Sequence, residues 1–217
     1  MTDAHIEGQD LDALPQDIRE DMELTVLDCR DNQLTELPMF PELKELCCDD
    51  NQLTELPLFP KLTELHCPDN RLTRLPLLPK LTVLDCDGNR LTELPRFPEL
   101  TELHCWHNQL TELPLLPELT KIDCECNQLT ELPLFPKLTE LYCGNNQLTE
   151  LPLLPKLTTL LCKNNPLEWI PYYPKLLEID LTGCPGASLM ADPTDVEEYH
   201  RLCAGSAGRR KKSARSC

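Results

Sequence analysis

Thirteen cysteines and an alternating run of histidine and aspartate give this sequence the raw material of a metal centre or a thiol catalyst. Eight of the cysteines, Cys29, Cys48, Cys67, Cys86, Cys105, Cys124, Cys143 and Cys162, recur every 19 residues. A zinc site asks for paired ligands such as C-x₂-C with a His or Cys nearby. Cys47-Cys48 and Cys124-Glu125-Cys126 are the close pairs, and neither has that spacing. A disulfide ladder is within reach on Cα spacing, but side chains in parallel register point the same way, which strains the bond. Thirteen cysteines without an export signal also point to a reducing compartment. The remaining reading is that Cys serves as a small apolar filler in a narrow core. The cysteines pack.

The second chemical pattern is His66, Asp85, His104 and Asp123, flanked by Glu64 and Glu102, again at a 19-residue step. The expectation is a solvated polar strip in which each Asp raises the pKa of its His neighbour by charge attraction. A pH-sensitive binding surface and a metal-binding His/Asp strip are the alternatives. No cofactor is expected. Trp106 lies beside His104 and His107, and an exposed aromatic there suits a hot-spot anchor as well as a cover for the strand. Tyr142 extends the same patch. The sequence has few Ser, no phosphate-cradling glycine loop and no nucleophile–base constellation, so the chain is not expected to be an enzyme.

What must position these residues is a repeat. Asn32, Asn51, Asn70, Asn89, Asn108, Asn127, Asn146 and Asn165 keep the 19-residue step without a slip. The unit reads L-x-x-L-x-C-x-x-N-x-L-x-x-L-P-x-x-P-x, eight times from Leu24 to Lys175, and a ninth starts at Leu176 with Cys184 in place of Asn. A unit of this size cannot bury its own apolar side, but stacking on its neighbours can. "LTELHC" alternates apolar and polar residues as a short half-buried strand does. The prolines of "LPLLP" forbid a helix on the return and favour an extended, polyproline-like path. Parallel strands about 4.8 Å apart would let nine of them span roughly 40 Å. The repeated Asn is expected to bond backbone groups of its own and adjacent coils. The Leu-Phe and Leu-Leu pairs between the prolines are expected to lean outward.

The motif L-x-x-L-x-[L/C]-x-x-N-x-L in "LTELHCPDNRL" and "LTELYCGNNQL" closely resembles the leucine-rich repeat. The Leu-Pro ending of "LTELPLFPKL" looks most like the short LPX-type repeats of secreted bacterial effectors. It is also similar to repeat proteins of other bacteria and of large viruses of amoebae. The resemblance covers about residues 11 to 184. It implies a right-handed leucine-rich repeat solenoid with a parallel β-sheet on its concave face and an extended, polyproline-like convex side. It also implies a binding scaffold for a protein partner, with a host protein as the analogy suggests. Some effectors of that type carry a ubiquitin-ligase domain after the repeats; fewer than forty residues follow the array here, so none is expected.

If the constant positions are structural, function sits at the variable ones. The concave face is expected to bind its partner through Glu64, His66, Asp85, Glu102, His104, Trp106, Asp123 and Tyr142. Self-association through convex or edge surfaces is the alternative. A net charge of −17 argues against nucleic acid for the array and for a basic or mixed-charge protein partner. No stretch is long enough to cross a membrane, and a monomer is expected. The domain plan is residues 1–23 as N-terminal cap and divergent first repeat, 24–184 as the array, 185–206 as a capping helix and 207–217 as a basic disordered tail. Ile18 and Met22, four apart, suggest a helical turn in the first segment. In the capping helix Asp192 is expected as N-cap, with Val196, Tyr199, Leu202 and Cys203 on one face. The tail carries Arg209, Arg210, Lys211, Lys212 and Arg215. Such a tail resembles a nuclear-import signal, so nuclear, cytoplasmic and host-delivered locations all fit the sequence.

Overall fold

A computed structural model of the chain describes residues 2–188, 190 and 192–213, with residues 205–213 as helix backbone alone. Its strands are β1 (Thr2–His5), β2 (Leu24–Asp28), β3 (Glu45–Cys47), β4 (Glu64–His66), β5 (Val83–Asp85), β6 (Glu102–His104), β7 (Lys121–Asp123), β8 (Glu140–Tyr142), β9 (Thr159–Leu161) and β10 (Glu178–Asp180). They form a single parallel sheet in sequence order. Each strand pairs with the next in a register that sets equivalent residues side by side, as in His66↔Asp85, Asp85↔His104 and His104↔Asp123. The sequence led to nine strands; the tenth is β1, whose "TDAH" has none of the repeat's consensus. It pairs with β2 because its backbone can, and Ile6 then fills the place that a cysteine holds in later coils, with Ile6 N–H donating to Asp28 O at 2.8 Å. The four extra residues before the array form α1 (Gln16–Arg19); Ile18 packs on the core while Met22 stays exposed.

Two side chains per strand build the interior. Leu27, Leu46, Leu65, Leu84, Leu103, Ile122, Leu141 and Leu160 are fully buried, and so is the cysteine two residues after each. Two residues along a strand is one face, which is why Leu and Cys enter together. On the return segment Phe40, Phe59, Leu78, Phe97, Phe135 and Tyr173 close the core from the far side. This corrects the expectation that both residues between the prolines lean outward: the second is core, and only the first, as in Met39, Leu58, Leu77 and Leu115, is exposed. An extended segment alternates its side chains, so the two neighbours must part. No strand is assigned among the described residues of the return segments.

The asparagine ladder is complete. Asn108 Nδ2 donates to the carbonyls of Cys86, Cys105 and Trp106 at 2.9, 3.3 and 3.3 Å, and its Oδ1 accepts from Leu91 N–H at 3.0 Å. Each equivalent Asn repeats the pattern, so one amide satisfies backbone groups of two coils that the turn buries. The residue before each Asn is left-handed, φ near +50°, in a series that includes Asp50, Gly88, His107 and Cys126. A second ladder, which the consensus hides, runs along the threonines before the strands: Thr82, Thr101, Thr120 and Thr139 each donate Oγ1 to the carbonyl of the preceding Thr at 2.9–3.0 Å.

The open C-terminal end is closed by a 3₁₀ turn (Pro185–Ala187) and by α2 (Val196–Ser213). Asp195, not Asp192, caps α2: Glu198 N–H donates to Asp195 Oδ1 at 2.9 Å, while Asp192 holds the preceding turn through Thr194. The correction has a simple cause, since Asp195 stands three residues before the amide it must satisfy. The helix also runs beyond residue 206, where the sequence ended it, to Ser213. Tyr199 is the buried anchor, its hydroxyl donating to Pro171 O at 2.6 Å and accepting from Tyr173 N–H at 2.8 Å. Leu202, expected on the same face, is largely exposed. Arg215 and Cys217 lie outside the described residues.

Candidate interaction surface on the concave face

The alternation that buries Leu and Cys turns the residues between them outward. Strands β4 to β8 therefore present the rows Glu64, Val83, Glu102, Lys121, Glu140 and His66, Asp85, His104, Asp123, Tyr142. Beyond the strands the ladder continues by Cys86 N–H to His104 O and Cys105 N–H to Asp123 O, both 2.8 Å, which holds a third row in step: Asp49, Pro68, Asp87, Trp106, Glu125. The eight residues picked from the sequence all lie on this sheet, on β4 to β8 and the residue pair after β6.

Their contacts divide the patch. His66 Nδ1 lies 4.0 Å from Asp85 Oδ2, and Asp85 raises the histidine's pKa above its ordinary value, against the pull of burial. His104 turns instead to its own strand: its Nε2 is 2.8 Å from Glu102 Oε1, and Lys121 Nζ reaches the same oxygen at 2.8 Å. These two partners hold Glu102 below the usual carboxylate range, and Glu102 in turn raises Lys121. Tyr142 O–H donates to Glu140 Oε2 at 3.3 Å, and its pKa is raised by burial and by that carboxylate. Glu64 makes no side-chain hydrogen bond or ion pair among the described residues, and Asp123 accepts from Glu125 N–H at 3.1 Å.

Trp106 is exposed, its ring tilted against His107 with centroids 5.2 Å apart. Its backbone N–H donates to Asp87 Oδ1 at 2.6 Å. Burial, then the neighbouring charge of Asp85, pushes the Asp87 carboxyl up to about 7 despite that bond. Asp49 is raised as well, chiefly by burial, and its Oδ1 has no hydrogen-bond partner. Asp87, Asp49, Lys121 and Glu140 share this face and were not among the residues expected from the sequence to form the patch. Their signal was present: each occupies an outward column of the 19-residue step.

Chemically, the face can pair charges and cover an apolar anchor, and it can change charge near neutrality through Asp87. Among the described residues no group of three or more His, Cys, Asp or Glu side chains could hold a metal ion. The ladder thiols Cys48, Cys67, Cys86 and Cys105 are raised well above the ordinary thiol value by burial, which keeps them protonated and unreactive. Even the half-buried Cys47 is pushed up to about 11. The eight ladder cysteines form no disulfide with one another. No described helix is long and apolar enough to cross a membrane.

A family model of Leucine Rich repeats (2 copies) matches residues 60–99 and again residues 98–135. Among solved structures, the leucine-rich effector protein YopM from Yersinia pestis is 37% identical, with a TM-score of 0.77 over 84% of this chain and 55% of that one. The functional domain of InlJ from Listeria monocytogenes, which includes a cysteine ladder, is 36% identical, with a TM-score of 0.73 over 81% of this chain and 42% of its own. A Shigella effector leucine-rich repeat domain is 30% identical, with a TM-score of 0.54 over 76% of this chain and 70% of that domain. The chain thus spans about half the length of YopM and less of the InlJ domain. No curated protein sequence matches it. Repeat length, strand register, asparagine ladder and these likenesses agree, and the chain belongs to the leucine-rich repeat proteins.

Proposed function

We propose that the protein is a non-catalytic interaction scaffold that binds a protein partner through its acidic concave face. The central patch is Glu64, His66, Asp85, Glu102, His104, Trp106, Asp123 and Tyr142, with Asp87 on the coil beside the tryptophan. One observation carries this reading. On every strand the constant residues are buried, while the residues that differ from coil to coil face out, with Trp106 as an exposed aromatic among carboxylates. Aromatic anchors ringed by polar groups are where interface energy concentrates. The charge balance suits a basic or mixed-charge partner, and the likeness to YopM and the Shigella effector domain supports a host protein by analogy. Retention from host-cell lysate, compared with a Glu102→Ala/His104→Ala/Trp106→Ala variant of equal stability, tests it. A protein held by the parent and lost from the variant is the expected result; one held equally by both removes the concave site.

A second reading, self-assembly along the outer side, draws on one observation. Met39, Leu58, Leu77, Leu115, Leu134 and Leu153 line successive coils, each at least half exposed. Sedimentation at rising concentration separates the two readings, since the scaffold stays monomeric and the assembly does not.

A further inference from the structure

The near-identity of the coils makes each an internal control for the others, and the departures on the outer side cluster. Five arginines occur between Leu24 and Cys184, and four of them, Arg71, Arg74, Arg90 and Arg96, fall in the third and fourth units. Arg71 and Arg90 stand where Gln33, Gln52, Gln109, Gln128 and Gln147 stand elsewhere. Arg74 replaces the glutamate of Glu36, Glu55, Glu112 and Glu131, and Arg96 interrupts the apolar row of Leu58, Leu77 and Leu115. All four are exposed, and the parallel stack sets the two coils side by side, with Arg71 N–H donating to Leu53 O and Arg90 N–H to Leu72 O. Arg74 bonds Glu55 at 3.1 Å; Arg71, Arg90 and Arg96 make no ion pair among the described residues.

A groove of about 580 Å³ opens between these coils and the fifth, walled by Arg74, Arg96, Glu93, Glu112, Pro95 and Leu115 over a buried leucine floor. We propose that this groove and its arginines form a second docking surface, on the side opposite the concave patch, for a short acidic protein segment. Carboxylates of that segment pair with the arginine forks while one of its apolar side chains lies on the leucine floor. Charge complementarity selects the occupant: four of the five arginines of an otherwise acidic array gather on these two coils, and Arg71, Arg90 and Arg96 make no ion pair among the described residues. A long polyanion such as nucleic acid would overrun two coils and meet Glu55 on one side and Glu131 on the other, besides Glu93 and Glu112 of the groove itself, so a short segment is the better fit.

The test uses the full chain and fluorescence anisotropy at low salt, with a short labelled peptide alternating Glu and Leu as probe. The variant Arg71→Gln/Arg74→Glu/Arg90→Gln/Arg96→Leu restores what the sister coils carry, so it keeps the fold, and a thermal melt checks that it does. Binding of the probe by the parent, weakened about tenfold or more in the restored variant and unchanged in the concave triple variant, is expected. A Lys/Leu peptide, drawn to the acidic concave face, should bind the restored variant no more weakly than the parent. The proposal is overturned by a parent that ignores the Glu/Leu probe, by equal binding to the restored variant, by loss in the concave variant alone, or by a short single-stranded RNA bound in preference to the peptide.

Discussion

Along any one strand of this solenoid, neighbouring residues obey opposite rules. In β6 the inward Leu103 and the following Cys105 repeat what nearly every coil of the array has, while the outward His104 is shared with His66 alone and Trp106 with no other coil. A residue that meets its own copy above and below, at a fixed spacing, can change only if its neighbours change with it. One that faces solvent carries no such tie. The interior therefore fixes the coil's shape, and the outward columns are where one coil can differ chemically from the next.

The interior should prove the costly side of this contrast. Asn108→Ala removes one of the two hydrogen bonds that each of three carbonyls accepts and leaves the Leu91 amide without its partner, and a loss of about 3 kcal/mol is expected in denaturant unfolding. A loss under ~1 kcal/mol would mean that water replaces the ladder. Tyr199→Phe removes the hydroxyl that joins α2 to Pro171 and Tyr173, and should cost about 2 kcal/mol, with the C-terminal coils exchanging amide hydrogens first. Cys105→Ala should cost only about 1–2 kcal/mol, because the cavity it leaves is small.

Outward substitutions sharpen the contrast from the other side. Asp87 binds its proton more tightly folded than unfolded, so its contribution is full below pH ~4 and is lost as pH rises through about 7. Asp87→Asn should therefore stabilise the protein at pH 8 by about 1 kcal/mol, after allowance for partial solvent screening, and change nothing near pH 4. A gain equal at both pH values would locate the effect in packing. Glu102→Ala/His104→Ala/Trp106→Ala should shift stability least, within about 0.5 kcal/mol per site, as measured by thermal melting.

The repeat was legible because its constant residues answer directly to burial: a 19-residue step with Leu and Cys two apart leaves little choice of fold. β1 was not, since "TDAH" shows no apolar alternation and joins the sheet through backbone bonds to β2. Nor was the split of the Leu-Phe pairs, because both members are apolar and only the stacked coils decide that Phe59 enters and Leu58 leaves. On the concave face the columns could be read, but not the pairings. Cross-strand register suggests His104 for Asp85 or Asp123, yet its nitrogen goes to Glu102 on its own strand, drawn there together with Lys121. The sequence offers no sign that Asp87 is shifted, because the shift comes from burial and the charge of Asp85, against the bond from Trp106 N–H.

The most direct test of the concave assignment is photo-crosslinking in host-cell lysate, with a photoreactive residue placed at Trp106 in one protein and at Leu134 on the outer side in another. The account expects a discrete protein adduct from position 106 and none of that mass from position 134. The same adduct from position 134, with position 106 silent, would contradict it.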